Sequence, residues 1–421
     1  MLQLQREAFF FFNFLCPTYS MILTLRLSII LLLFLVGCNS SGDNKVTHNY
    51  GLDADFLRKH NQHIIELRDE VGQAKVLLSA DYQGRVMTST ASGNDGTSYG
   101  WINYELIASG EVKKQFNPVG GEERFWLGPE GGQYSLYFHK GDSFSMKNWQ
   151  VPHMIDTEPF QVVESNTISA TFSRRTSVTN YSGTVFELSI ERKISLLSRN
   201  DFESEFRTQL PTVIKYVGYQ SENKIQNAGT QDWNKESGLL SIWLLGMFAP
   251  SDQTMVIIPF KPIANAKELI TTTYFGEIPA ERLIIEDSVL FFTCDGNYRS
   301  KIGLSPFIAK PVSASFDFQR NILTITRLEI VSDASYVNSK WEIQDAPYSG
   351  DAVNSYNDGP LADGSQLGPF YELESSSAAL ELKSGETGMY RQITCHLEGD
   401  FDRLNDLSVT ILGVDLKKIK K

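Results

Sequence analysis

From about residue 73 onward, the chain is a succession of short apolar or alternating runs separated by glycine, asparagine, aspartate and proline. Examples are "QYSLYFHKGD", "GTVFELSIERKISLL", "TMVIIPFK" and "NILTITRLEIV". Runs of about five to eight residues rich in valine, isoleucine, threonine and aromatic residues are typical of strands, and the turn residues between them favour antiparallel pairing. No stretch has the strand–helix–strand pattern of a parallel sheet. The sequence therefore predicts an all-β domain.

In one segment before these runs, the apolar residues have a different spacing. In residues 53–69, "DADFLRKHNQHIIELRD", the apolar residues recur near helical spacing, which predicts a short amphipathic N-terminal helix. No internal repeat or break in composition divides the rest of the chain. We therefore expect residues 53–421 to form a single domain, whose length requires an unusually large pair of sheets.

The N-terminal region has the pattern of a secretion signal. From Met21, which we take as the start of translation, the chain reads "MILTLRLSIILLLFLVGCNSSGDNK". Arg26 precedes an apolar run that is too short for an ordinary spanning helix. "LVGC" resembles a bacterial lipobox. We therefore predict a signal peptide over residues 1–37, lipidation of Cys38 and a tether over residues 38–52.

This pattern also predicts where the protein is found. Acyl chains on Cys38 would hold the chain to a membrane leaflet of the bacterial cell envelope. Asn39 follows the lipidated cysteine in place of an aspartate, which by resemblance to enterobacterial sorting rules favours the outer membrane.

The charge of the chain limits its partners. A formal net charge of −12 argues against nucleic acid, because no basic stripe is available to replace the counterions of phosphates. We expect a neutral or weakly charged ligand and a monomeric protein. Cys294 and Cys395 lie in strand-like runs, "VLFFTCDG" and "RQITCHLEG", and are either bridged or two buried free thiols.

No cysteine or histidine spacing predicts a zinc site, and we expect no cofactor. One loop, "EIQDAPYSGDAVNSYNDGPLADGSQLGPF", carries aspartates that could wrap Ca²⁺ through their oxygens, although their spacing matches no EF-hand. These aspartates are Asp345, Asp351, Asp358 and Asp363.

The stretch "NPVGGEERFWLGPEGGQYSLYFHKGD", residues 117–142, is a candidate sugar site. Its two Gly-Gly pairs allow positive φ angles or close backbone approach. Arg124, Trp126 and Glu130 lie between or beside these pairs, and a sugar offers a C–H face for an aromatic ring and hydroxyls for charged groups. The alternative is a hairpin with a buried tryptophan and a solvated charge cluster.

Other candidates are more isolated. Trp233 has polar neighbours, Asp232, Asn234 and Lys235, which favours an exposed or rim position. His139, which follows the glycine-rich stretch, is the most plausible histidine for a general acid.

In two pairs of charged residues, the two members lie two positions apart in the sequence. Arg299 and Lys301 therefore share a strand face and form a cationic patch that is able to bind a carboxylate or hydroxyls. Glu372 and Glu374, in "FYELESSSAALELKSGE", share a face in the same way. On a solvated face the two carboxylates have no special role, whereas in a cleft at least one pKa would be raised.

Four segments, taken in order, resemble the galactose mutarotase-like proteins of the aldose 1-epimerase superfamily. They are "LLSADYQGRVMTSTAS", "GGEERFWLGPEGG", "IQNAGTQDWNKESGLLSIW" and "NDGPLADGSQLGPFYELESSSAALELKSGETGMYRQITCHLEG". The resemblance covers about residues 70–400, and the whole chain is similar to Bacteroidota lipoproteins that carry this domain. It implies a β-supersandwich of two large antiparallel sheets with a sugar-binding cleft on the concave one.

The resemblance also implies site roles. In mutarotases a glutamate on a late strand takes a proton from the anomeric hydroxyl, and a histidine protonates the ring oxygen. The Leu-Glu match assigns the base to Glu374, with Glu372 as its neighbour. The expected histidine is replaced by "DWNKESG", so that His139, Asp232, Lys235 or Arg124 would have to act as the acid.

Three functions remain open from the sequence. The first is a carbohydrate-active enzyme of mutarotase, epimerase or lyase type. The second is a lipid-anchored glycan-binding protein without turnover, and the third is a structural envelope lipoprotein.

Overall fold

The runs punctuated by turn residues form nineteen strands in the computed structural model, which describes residues 49–420. In chain order the strands are β1 (Ile64–Arg68), β2 (Lys75–Ser79), β3 (Arg85–Thr90), β4 (Arg124–Gly128), β5 (Gln161–Ser165), β6 (Ser169–Thr179), β7 (Val185–Leu196), β8 (Lys215–Asn227), β9 (Ser241–Phe248), β10 (Thr254–Pro259), β11 (Ile270–Thr271), β12 (Leu283–Ile285), β13 (Val289–Thr293), β14 (Ser300–Leu304), β15 (Val312–Asp317), β16 (Ile322–Arg327), β17 (Val353–Asn357), β18 (Tyr371–Ser376) and β19 (Thr387–Glu398).

Helices are few and short. They are α1 (Tyr50–His60), α2 (Tyr104–Ser109), α3 (His153–Asp156), α4 (Arg199–Phe206) and α5 (Phe401–Leu412), with 3₁₀ turns at Ala266–Leu269 and Leu416–Lys418. The predicted signal peptide, Cys38 and most of the predicted tether lie outside the described residues.

The described strands form two large sheets and one small sheet, in which neighbouring strands pair antiparallel. The ten-stranded sheet has the order β12-β13-β10-β15-β16-β19-β8-β7-β6-β5, and the six-stranded sheet has the order β11-β14-β17-β18-β9-β4. The predicted all-β sandwich of two large antiparallel sheets is confirmed. The third sheet, β1-β2-β3, was not predicted.

The main core lies between the two large sheets. On β9, Ile242 and Leu244 are fully buried and belong to one apolar cluster with Ile190 of β7 and Ile225 of β8. A second cluster joins strands β10 and β13 of the ten-stranded sheet to β14, β17 and β18 of the six-stranded sheet. Each fully buried branched side chain contributes about 1.5–3 kcal/mol of hydrophobic stabilisation. This packing uses one of the two faces of the six-stranded sheet.

Helices α4 and α5 cover the other face of the ten-stranded sheet. Leu404 and Leu407 of α5 pack in a third cluster with Ile257 of β10 and Ile325 of β16. The side chain of Asp400 caps the helix by accepting hydrogen bonds from the first-turn backbone amides, as an N-cap residue should. Helix α5 was not predicted from the sequence.

The N-terminal helix is shorter than predicted. It spans Tyr50–His60, and the side chain of Asn49 caps it by accepting from the amide of Leu52. The second half of the predicted segment is strand β1, because residues 64–68 pair with β2 through backbone hydrogen bonds. The prediction of a helix over residues 53–69 is therefore wrong in its C-terminal part.

Cys294 and Cys395, the cysteines within residues 49–420, are buried free thiols. Cys294 belongs to the cluster between the sheets, whereas Cys395 of β19 belongs to the cluster under α4 and α5. The alternative of a disulfide bridge is wrong. Burial raises the pKa of both thiols, to about 12 for Cys395.

Within residues 49–420, no helix combines the length and the apolar character that a membrane crossing requires.

Candidate functional site

The second face of the six-stranded sheet lines a cavity of about 950 Å³. Because side chains alternate along β9, Trp243, Leu245 and Met247 face the cavity, while Ile242 and Leu244 pack in the core. The same alternation sends Glu372 of β18, Arg124 and Trp126 of β4, and Lys301 of β14 to the cavity face.

Loops from four parts of the chain form the walls of the cavity. They supply residues 113–118, 146–149, 273–275 and 337–342. Many of the lining side chains are aromatic and include Trp149, Tyr274, Phe275, Trp341 and Tyr356. An apolar, aromatic lining with a few converging charged groups is typical of a small-molecule site.

The two Gly-Gly pairs position this region, as their sequence predicted. Gly120 and Gly121 adopt φ angles of +98° and +111°. A Cβ atom at Gly120 would collide with the carbonyl oxygen of Trp101. At Gly131, a Cβ atom would collide with the carbonyl oxygen of Lys340, so this glycine allows the 337–342 wall to approach.

Glu372 and Arg124 form a buried ion pair in the floor of the cavity. Arg124 Nη2 donates to Glu372 Oε1, and the side chains are 3% and 8% exposed for Arg124 and Glu372. The guanidinium carbon of Arg124 lies 4.7 Å from the centroid of the Trp126 ring. Burial raises the pKa of Glu372 to about 7, against the opposing effect of Arg124, and the charge of Glu374 adds to the rise.

Glu374 lies beneath the floor. Its Oε2 accepts hydrogen bonds from Lys301 Nζ at 2.8 Å and from Trp243 Nε1 at 3.1 Å. The side chain is fully buried and does not line the cavity, because Lys301 and Trp243 cover it. Its Oε1 has no hydrogen-bond partner within the described part of the chain. Of the two glutamates on this face, only Glu372 meets the cavity.

Lys301 lies between several carboxylates. Its Nζ is 5.0 Å from the ring centroid of Trp243 and 5.6 Å from that of Tyr274. Burial lowers the pKa of Lys301, but the charges of Glu374 and Glu130 outweigh burial, and the pKa is raised overall. Lys301 is therefore a permanent cation at neutral pH.

Glu130 supplies another carboxyl group to the cavity. Burial raises its pKa, Lys301 opposes this rise, and Glu374 adds to it. The carboxyl groups of Glu130 and Glu372 therefore both hold a proton at a higher pH than ordinary glutamates do.

Arg299 is held at the cavity by an aromatic and a polar contact. Its guanidinium carbon lies 4.1 Å from the centroid of the Phe275 ring, and its Nε donates to Tyr356 Oη at 3.2 Å. Tyr356 in turn donates to Asp358 Oδ1 at 2.5 Å. The side chain is thus oriented without a carboxylate bonded to it.

Six of the predicted site residues line this one cavity. They are Arg124, Trp126, Glu130, Arg299, Lys301 and Glu372. Glu374 is bonded to the floor from below. The structure therefore brings together the two charge pairs and most of the glycine-rich stretch that the sequence identified.

His139 and Trp233 do not belong to this site. His139 is exposed in a turn where its backbone amide donates to Asp142 Oδ2 at 3.0 Å. Trp233 is 5% exposed and packs edge-on against Phe186 in the main core. The expected rim position of Trp233 is wrong, because its polar neighbours point outward while the indole is buried.

The other suggested acids lie elsewhere as well. Asp232 Oδ1 accepts from the backbone amide of Ser384, and Lys235 lies over the ring of Tyr348. Neither residue lines the cavity. Of the replacements considered for the missing histidine, only Arg124 does.

The carboxylates next to Arg124 in sequence face the opposite way. Glu123 pairs with Arg192 at 2.8 Å, and both side chains are fully buried in the sandwich. Glu122 Oε2 lies 3.0 Å from His396 Nε2, also in the interior. The charge cluster seen in the sequence is thus divided between the core and the cavity: alternation separates Glu123 from Arg124, while Glu122 lies before β4 begins.

Several cavity residues were missed in the sequence analysis. Trp341 has charged neighbours, Lys340 and Glu342, which is the same signal that was applied to Trp233. Tyr274 and Phe275 lie in an irregular loop and carry no recognisable pattern. Only the fold brings this loop to the sheet.

The aspartates considered for Ca²⁺ are engaged in separate contacts. Asp351 Oδ2 accepts from Tyr274 Oη at 2.5 Å, Asp358 accepts from Tyr356, and Asp363 accepts from Ser365, while Asp345 is exposed. Within residues 49–420, no group of three or more His, Cys, Asp or Glu side chains is placed to hold a metal ion.

Several solved structures resemble this chain in fold at low sequence identity. A putative aldose 1-epimerase from Escherichia coli K12 is 12% identical with a TM-score of 0.46, over 79% of this chain and 98% of that one. A galactose mutarotase-like protein from Lactobacillus casei is 11% identical with a TM-score of 0.47, over 80% and 100%. The Slr1438 protein from Synechocystis is 12% identical with a TM-score of 0.49, over 80% and 96%.

No protein with a curated description matches this sequence significantly. A family model matches residues 48–421, which is almost all of the chain after the predicted signal peptide and lipidation site. The chain therefore belongs to the family described as a family of unknown function, DUF6786.

Proposed function

We propose that this protein is a carbohydrate-active enzyme of the bacterial cell envelope, and that Glu372 exchanges a proton with a sugar bound in the cavity. The observation that carries the proposal is the position of Glu372. Its carboxyl group lines an aromatic cavity, is bonded to Arg124 and has a pKa of about 7. A carboxyl group with this pKa is present in both protonation states at neutral pH, which suits general acid–base catalysis.

The cavity lining fits a sugar. Partly exposed rings such as Tyr274 and Trp341 offer faces for the C–H side of a pyranose. The charged side chains of Arg299 and Lys301 line the same cavity. Such groups are suitable hydrogen-bond donors to the hydroxyls of a sugar.

The reaction that we propose is interconversion at the anomeric carbon. The Glu372 carboxylate takes the proton of the anomeric hydroxyl, the bond between the anomeric carbon and the ring oxygen breaks, and a second acid protonates the ring oxygen. Reversal from the open-chain aldehyde closes the ring with either configuration. No oxidant, reductant or metal is needed, because protons and one C–O bond account for the whole change.

Glu130 takes the role of the second acid in this proposal. It lines the same cavity, and its raised pKa keeps it protonated at a higher pH than an ordinary glutamate. It replaces His139, which is exposed in a turn outside the cavity. Glu374, to which the sequence resemblance assigned the base, becomes a positioning residue for Lys301.

The test is the rate at which freshly dissolved α-anomers of common aldoses approach anomeric equilibrium, followed by polarimetry or by ¹H NMR. The wild-type protein should accelerate this approach for at least one sugar of a hexose and pentose panel. Glu372→Gln should lower kcat about 10²–10⁴-fold while binding of the same sugar, measured by NMR titration, is retained.

A second candidate is a glycan-binding protein without turnover. It is favoured by the two ion pairs, since Glu372 and Glu374 are each already bonded to a cation before any ligand arrives. Such a preorganised floor would bind hydroxyls without chemistry. Glycan affinity in the absence of any anomeric acceleration would support this candidate against the enzyme.

The proposed location rests on the N-terminal sequence. The segment "LVGC" ending at Cys38 supports lipidation, and Asn39 supports the outer membrane. Mass spectrometry of the N-terminal peptide from a membrane fraction should show acyl chains on Cys38. A Cys38→Ser variant recovered in the membrane fraction to the same extent as wild type would contradict the lipid anchor.

A further inference from the structure

The cavity contains cations that no carboxylate neutralises. Within the described chain, Lys113, Lys114, Arg299 and Lys340 line it without a carboxylate oxygen within 4.0 Å of their charged nitrogens. Six Lys and Arg side chains and four Asp and Glu side chains, Glu130, Glu342, Asp351 and Glu372, line the cavity, whereas the chain as a whole has a formal net charge of −12. A local surplus of positive charge in an acidic protein attracts an anionic ligand to that place.

Arg299 differs from the three lysines because it is held in place. The lysines are exposed on flexible stems, whereas the Arg299 side chain is partly buried. Phe275 packs against its guanidinium, and Tyr356 accepts from its Nε. Its two terminal nitrogens, Nη1 and Nη2, make no hydrogen bond with residues 49–420.

The other buried cations of the cavity, unlike Arg299, are already paired with carboxylates. Arg124 and Lys301 are compensated by Glu372 and Glu374. Asp358, behind Tyr356, is bonded to the tyrosine hydroxyl and to the amide of Gly368, and burial raises its pKa. Arg299 therefore presents a charged pair of N–H groups whose orientation is set by its other contacts.

A guanidinium group with two free terminal nitrogens matches a group that has two anionic oxygens. We propose that the sugar bound in this cavity carries an anionic substituent, a carboxylate, sulfate or phosphate, and that Arg299 binds it. This inference rests on the proposed function, because it names the class of sugar for the same cavity. It differs from the expectation of a neutral or weakly charged ligand that was based on the net charge.

The experiment compares matched sugars by NMR titration at low ionic strength. The probes are D-glucose, D-glucuronic acid and glucose 6-phosphate, with D-galactose and D-galacturonic acid as a second set. Wild type should bind at least one anionic member at least about tenfold more tightly than its neutral counterpart. Comparison of the uronic acid with the phosphate identifies the substituent.

Three variants isolate the role of Arg299. Arg299→Gln should remove most of the preference of wild type for the anionic sugar. Arg299→Lys, which keeps the charge but not the paired N–H groups, should keep only part of the preference. The control is Arg175→Gln, an exposed position on β6 outside the cavity with the same change in net charge, and it should retain the full preference.

The outcomes separate this inference from the proposed function. If wild type binds neutral sugars as tightly as their anionic counterparts, the anionic class is wrong while the sugar site stands. If the preference persists in Arg299→Gln, the assignment to Arg299 is wrong. If no sugar of either kind binds, both proposals fail. Equal binding of inorganic phosphate and sugar phosphate would show an anion site alone and would also overturn the inference.

Discussion

Arg124 and Glu372 form an ion pair across strand β9, because β4 and β18 are its two neighbours in the six-stranded sheet. The register places Arg124 opposite Leu245 and Glu372 opposite Met247, so the two charged side chains meet over β9 on the cavity side. The pair therefore depends on three strands that are far apart in sequence. It holds a carboxyl group with a raised pKa at the floor of the cavity.

The first prediction concerns pH and activity. Because the Glu372 base must be ionised and the Glu130 acid must be protonated, kcat/KM should follow a bell-shaped pH profile, and one of its two limbs should lie near the pKa of about 7 of Glu372. An ordinary glutamate would already be ionised far below this range. The measurement is the initial anomerisation rate at low sugar concentration between about pH 5 and about pH 9. A rate that is constant from pH 5 to 8 would exclude Glu372 as the base.

The second prediction concerns Arg124. Its charge opposes the rise in the pKa of Glu372, so Arg124→Met should move the limb of the rate profile that reports Glu372 to higher pH. The same variant should raise the pKa of the Glu372 carboxyl group. A titration followed by the ¹³C NMR signal of its carboxyl carbon measures this pKa without requiring turnover. Arg175→Met, at an exposed position outside the cavity, should leave both curves in place. An unshifted carboxyl titration in Arg124→Met would contradict the ion pair.

The third prediction concerns stability against pH. The pKa of Glu372 is raised from 4.5 to about 7 in the folded state, so the native protein holds this proton more tightly than the unfolded chain. The resulting stabilisation is fully present below pH 4.5 and is lost as pH rises through about 7. The melting temperature of wild type relative to Glu372→Gln should therefore fall across this interval. If the melting temperature of wild type minus that of Glu372→Gln rose with pH instead, the pKa of Glu372 would be lowered on folding.

The sequence could predict how residues within one strand are arranged, but it could not predict contacts between different strands. The spacing of two correctly placed the members of each pair, Glu372 with Glu374 and Arg299 with Lys301, on a common side, which for both pairs is the cavity side of the six-stranded sheet. It did not show which glutamate reaches the cavity. That depends on Lys301 and Trp243, which come from strands β14 and β9 and cover Glu374.

The tryptophans show the same limit. Polar neighbours were used to place Trp233 at a rim, but Trp233 is buried on Phe186, whereas Trp341 with similar neighbours lines the cavity. Polar neighbours in a loop show only that the backbone is near solvent. The direction of the indole is decided by packing between segments more than a hundred residues apart, such as Trp341 and Trp149.

The fourth prediction concerns the buried pair of Glu123 and Arg192 inside the sandwich. Arg192→Met leaves the Glu123 carboxylate buried without its cation and should lower the free energy of unfolding by about 3–5 kcal/mol. Glu123→Leu combined with Arg192→Met should recover most of this loss, because no charge is then left buried. Urea denaturation followed by circular dichroism measures both.

A surface pair that shares strand β7 with the buried pair gives the matched control. Lys224 and Glu191 are 2.8 Å apart on β8 and β7, with side chains that are about half exposed. Lys224→Met should lower the free energy of unfolding by no more than about 1 kcal/mol. Equal losses for Arg192→Met and Lys224→Met would contradict the buried pair.

The proposed reaction requires that Glu372, and not Glu374, exchanges the proton with the sugar. It is tested most directly by the anomerisation kcat of Glu372→Gln and Glu374→Gln on one sugar that wild type turns over, with melting temperatures and sugar affinities recorded for both. We predict a loss of kcat of about 10²–10⁴-fold for Glu372→Gln with sugar affinity retained, and a smaller loss for Glu374→Gln. Full turnover by a folded Glu372→Gln protein would contradict the account.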